Sequence, residues 1–107
     1  MALSASQLRA ILPGSMLRGR SGAYGLNIYL YLSKEGTAVM SFEVGAISGP
    51  YRITDDGLLC MANFPPGPGE RCCTFYQQGE QYKLFYSNGE LAMVATRVLG
   101  QDEHFLR

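Results

Sequence analysis

The chain has 107 residues, 47% hydrophobic and 17% charged, and its nine basic and nine acidic side chains cancel. A chain of that length forms one domain with a modest core, and it is too apolar for disorder. The charge balance argues against nucleic acid and anionic membrane surfaces as partners, and no apolar run reaches the ~20 residues of a membrane-spanning helix.

The opening "MALSASQLRAIL" lacks the basic and continuous apolar regions of a secretory signal. It fits either a cytoplasmic protein or a mature exported form with an added Met. Within it, Ser4 and Gln7 have capping-box spacing, and Leu8, Ile11 and Leu12 share one helical face before Pro13-Gly14 ends the run. This predicts a short helix over 4–12 acting as a lid or plug.

Everything after it reads as β-structure. Strand-like runs are expected at about 15–20, 24–32, 37–44, 49–54, 57–63, 71–77, 80–86 and 90–98, followed by a polar tail at 99–107. They are separated by "KEG" (34–36), "DDG" (55–57), "QQGE" (77–80) and "SNG" (87–89). Asp-Gly and Asn-Gly between strand patterns are strong hairpin signals because both residues tolerate positive φ. In "LNIYLYL", Leu26, Ile28, Leu30 and Leu32 fall on one face and Asn27, Tyr29 and Tyr31 on the other. In "QYKLFYS", Tyr82, Leu84 and Tyr86 oppose Lys83 and Phe85. Aromatic residues on both faces point to a closed sheet with some of its outer surface covered. The expected fold is mainly β: a small antiparallel up-and-down barrel of about eight strands, lipocalin-like or avidin-like, with one N-terminal helix. A two-sheet sandwich is the alternative.

The three cysteines surround a loop, "CMANFPPGPGERCC". Zinc sites want about four ligands, and a catalytic cysteine wants a base nearby; the single histidine, His104, sits far off in the tail. Neither a metal site nor a cofactor nor an enzyme is therefore expected. A hairpin across the loop sets Cys60 opposite the start of the returning strand. There Cys72 and Cys73 face opposite sides, so only one of them can meet Cys60. The hairpin alone leaves the choice open, with Cys72 preferred and Cys73 then a small buried hydrophobe. Three reduced core cysteines in a cytoplasmic protein are the competing reading. A bridge would close a loop of about a dozen residues, contributing ~3 kcal/mol on the chain-entropy model, and would imply an oxidising compartment.

The order of features resembles a loose group of short exported bacterial β-barrel proteins of uncharacterised function. It runs from the capped helix through Leu17-Arg18-Gly19 and a glycine-rich, tyrosine-bearing strand to "GPYRITDDGLLC", a Pro/Gly loop, "ERCCTFY" and "YKLFYSNGELAMVATRV". The resemblance covers most of the chain, through motifs that are structural. It implies a periplasmic or secreted setting and pairing of Cys60 with Cys72, and it supplies no catalytic residue. The chain departs from it in lacking tryptophan; Tyr51 stands where one is often found.

Other constellations are bland. Asp55-Asp56 is turn chemistry, Asp102-Glu103 lies in the tail, and Arg18, Arg20, Arg52 and Arg71 are scattered singly. Gly19, Gly22 and Gly25 lack the strand–loop–helix context of a phosphate loop and read as bulges or barrel bends. Two functional classes follow. The first is an exported, inhibitor-like binding module that presents the clamped loop Phe64, Pro65, Pro66, Gly67, Pro68 and Gly69 to a protein partner. The second is a carrier that holds an apolar ligand among Tyr29, Tyr31, Phe42 and Tyr82. The partner's identity and the oligomeric state stay open.

Overall fold

The structure is a computed structural model, and it describes residues 2–22, 25–43, 45–62 and 69–98. It has one helix, α1 (Ala5–Ile11), followed by strands β1 (Ser15–Ser21), β2 (Asn27–Leu32), β3 (Thr37–Phe42) and β4 (Gly45–Ile53). Strands β5 (Leu58–Ala62), β6 (Glu70–Gln78), β7 (Gln81–Tyr86) and β8 (Leu91–Val98) complete the order. Each strand pairs antiparallel with the next, and β8 returns to β1, so the eight strands form a closed barrel rather than a sandwich.

Closure demands a tight seam. At Gly19 a side chain would put its Cβ 1.8 Å from the Val94 carbonyl oxygen and 2.7 Å from the Ala95 Cα. Only glycine lets β1 come this close to β8, the role expected of a glycine at a barrel bend.

The helix closes one end of the barrel. Ser4 Oγ accepts the Gln7 backbone N–H at 3.2 Å and Gln7 Oε1 accepts that of Ser4 at 2.8 Å, so the capping box is complete. The apolar face then enters the core: Leu8 and Leu12 are fully buried, alongside Leu3. The Leu3 amide donates to the Phe75 carbonyl at 2.8 Å, and Arg9 holds Asp55 at 2.8 Å and the Ile53 carbonyl at 3.0 Å. Gly57, at φ 86°, turns the β4–β5 hairpin beneath the chain at Leu3 and Ser4, so the Asp-Gly signal marks a docking point as well as a turn.

Alternation decides what fills the barrel. Leu17, Ile28, Leu30, Leu32, Ala38, Leu59, Met61, Cys73, Phe75, Tyr82, Leu84, Met93 and Ala95 join the helix leucines in one continuous core. Phe75 and Tyr82 meet edge-on, with ring centroids 6.1 Å apart. Met16 and Tyr31 alternate with this set and pair opposite each other, yet both are buried, so part of the outer surface is covered as the two-faced aromatic pattern led us to expect. Leu26, which the pattern grouped with Ile28, Leu30 and Leu32, lies before β2 and is exposed, whereas those three are buried.

Candidate functional site

Strand direction sorts the connections between two ends. The turns at 33–36, 54–57 and 79–80 lie beside α1, whereas β5 ends and β6 begins at the opposite rim. Positions 64–68 of the expected recognition loop, which follow from that rim, lie outside the described residues, as does His104. Gly69 of the same loop is described, at φ 95°.

The base of that loop is well defined. Cys60 and Cys72 are directly opposite in the β5–β6 ladder, with Cα atoms 4.0 Å apart, and form a disulfide. The bridge lies on the outer face of the barrel, because Cys73 belongs to the inward-facing set. Across it runs a bidentate ion pair: Arg52 Nε and Nη2 on β4 donate to both carboxylate oxygens of Glu70 on β6, each at 2.8 Å. That pair spans three strands, above the strand carrying Cys60, and Cys60 is buried beneath it. The same bonds hold the Glu70 carboxyl below the usual range and raise Arg52. The base of the loop is thus tied twice, by a covalent bond and by a charge-assisted one. Sequence reading found the first tie. It missed the second, because Arg52 and Glu70 lie 18 residues apart in sequence and on strands that are not paired with each other, with β5 between them.

Cys60, Glu70 and Cys72 also bring three potential metal-ligand atoms within 4.8 Å of one another. Both sulfurs are consumed by the bridge and the carboxylate is engaged by Arg52, so the bridged form offers no ligand set. Cys73 is no better a nucleophile. Burial pushes its thiol from 9.0 up to about 12, with Arg71 acting in the opposite direction, so it stays protonated and sealed from solvent at neutral pH. Above it, at the inner rim, the Arg71 guanidinium lies over the Tyr86 ring at 4.2 Å.

The four residues proposed to line a carrier cavity do not converge. Tyr82 points into the packed core, while Tyr29 and Tyr31 belong to the outer set of β2. Phe42 packs partly against the core at the far end of β3. Strand parity separates them, since an inward Tyr82 and outward Tyr29 and Tyr31 cannot share one interior space. Tyr29 and Phe42 do border a common cleft, an open one on the outside of β1–β3. Among the described residues, no helix is long and apolar enough to cross a membrane.

No family model matches the chain, and no curated protein or solved structure is significantly similar to it.

Proposed function

We propose that the protein is a non-enzymatic binding module of an oxidising, periplasmic or extracellular setting, which offers the segment 64–69, joined to the β5–β6 rim opposite α1, to a protein partner in the manner of an inhibitor. The observation that carries this reading is the twice-tied base: a disulfide and a bidentate ion pair fix the strands that launch the loop. Three prolines in "FPPGPG" each hold φ near −65°, so the segment starts with little conformational freedom to lose. A loop ordered in advance binds at a lower entropic cost, and Phe64 supplies the apolar anchor that dominates small interfaces. The bridge itself is consistent with that compartment, since disulfides persist in oxidising surroundings. The carrier reading has less behind it, because the interior is occupied by Phe75, Tyr82 and Leu84.

The test compares immobilised oxidised protein with its Phe64→Ala variant as baits in periplasmic or extracellular extract. The expected result is a partner retained by the first and lost by the second, with the thermal midpoint unchanged. A several-degree loss of stability with capture intact would show that Phe64 only seals the barrel.

A further inference from the structure

We propose that the outer face of β1–β3 holds a second site, separate from the tied base of the β5–β6 loop, that binds a small organic monocarboxylate carrying an apolar body. Arg18 and Arg20 alternate with the inward-facing Leu17, so both project outward from β1, about 7 Å apart by strand rise. The ladder sets Arg18 directly opposite Tyr29, Arg20 opposite Asn27, and Tyr29 in turn opposite Ser41. These side chains, with Glu43 beyond β3, border a cleft of about 670 Å³. That is within the roughly 300–1,000 Å³ of small-molecule sites.

The two arginines stand apart from the other described arginines. Arg9 is held by Asp55, Arg52 by Glu70, Arg71 lies over Tyr86, and Arg97 donates to Ser15 Oγ at 3.0 Å. Neither Arg18 nor Arg20 has an ion pair or hydrogen bond among the described residues. Two guanidinium forks without partners, side by side on a rigid strand, form a receptor for a planar anion, which a fork can grip with two parallel bonds. The exposed Tyr29 ring opposite Arg18 offers an apolar face for the body of the ligand. Glu43 on the far side limits the charge that fits. Two positive groups less one negative leave a single net positive charge, matched by a carboxylate and ill matched by a phosphate dianion or a polyanion.

The site can be tested by following ¹⁵N-labelled protein by NMR during titration with 3-phenylpropionate, with its neutral amide 3-phenylpropanamide, and with inorganic phosphate. The acid should give saturable shifts at the backbone amides of 18–20, 27–29 and 41–43, with the neutral amide at least about tenfold weaker. The double variant Arg18→Gln/Arg20→Gln should weaken acid binding by about tenfold or more at an unchanged thermal midpoint, because both side chains are exposed. Tyr29→Ala should weaken it several-fold. Absence of saturation by about 10 mM, equal binding of the neutral amide, phosphate binding as tightly as the acid, or binding that survives the double variant would each overturn the proposal.

Discussion

Cys73 shows what a single buried group does to the whole chain. Its thiol is sealed among core residues, and burial raises it from 9.0 to about 12. Between those values the unfolded chain has released the proton while the folded chain keeps it, so the unfolded state binds fewer protons and stability falls as pH rises. The contribution is complete below about pH 9 and declines through the window up to about pH 12. Unfolding by urea should therefore cost about 2 kcal/mol less near pH 10.5 than near pH 8. Tyr51 and Tyr86, both raised above 10.0 chiefly by burial, add to the decline at the upper end of the range. Cys73→Ala removes the thiol's share. The variant starts less stable, having lost a buried sulfur, but its alkaline slope should be shallower. An unchanged slope would mean that the thiol is not the titrating group. Sequence showed that only one of Cys72 and Cys73 can meet Cys60, since adjacent residues of a strand face opposite sides, and it favoured Cys72; the ladder register decided that Cys73 is the inward one. Its pKa was not legible, because it depends on the Leu59 and Tyr86 neighbourhood that the ladder assembles around it.

At the scale of elements, the β5–β6 hairpin is a small machine for holding its own loop, and the Arg52–Glu70 pair guards the bridge. A thiolate reductant approaching Cys60 meets both the covering side chains and the Glu70 carboxylate. Glu70→Ala opens the path and removes a negative charge, and both effects favour attack by an anionic thiolate. Reduction by a thiol reagent, followed by mass, should be several-fold faster in the variant, with little loss of stability because the pair is solvent-exposed. An unchanged rate would show that local opening of the hairpin, rather than cover, limits access. The elements themselves were largely readable. Turn chemistry at Gly36, Gly57, Gly79 and Gly89 marked four hairpins, and Ser4 with Gln7 marked the helix start. The boundaries that moved did so for a physical reason. Strand β4 begins at Gly45 instead of near 49, because "GAISG" has little intrinsic strand preference and is recruited by pairing with β3. The cleft residues were invisible for a similar reason: Arg18 and Tyr29 became neighbours only once the β1–β2 register was set.

For the whole molecule, the decisive property is that the barrel is full. An eight-stranded barrel is just wide enough to be filled by side chains or to hold one small ligand. Here the helix leucines enter from one end and Phe75, Tyr82, Leu84 and Met93 occupy the middle, so binding is left to the outside and the rim. The strand count and the meander were foreseeable from the glycine turns between strand-like runs, and closure from the aromatics on both faces, although a sandwich stayed possible; the choice between filled and hollow depended on which tyrosines turned inward. Tyr82 did, and it packs edge-on against Phe75, which is fully buried. Phe75→Ala converts the filled barrel into a hollow one. Deleting the ring should destabilise the fold by about 3–5 kcal/mol, the usual cost for a buried phenylalanine. The cavity left behind is lined by leucine, methionine and the Tyr82 ring, and apolar cavities of this kind stay dry and accept small aromatic molecules. Benzene should therefore raise the thermal midpoint of Phe75→Ala by several degrees, since a ligand that binds only the folded state stabilises it by mass action. The same concentration should leave the unmodified protein's midpoint in place. If benzene stabilised both equally, the unmodified barrel would already hold space for an apolar guest, and the carrier reading would displace the rim as the account of what this protein does.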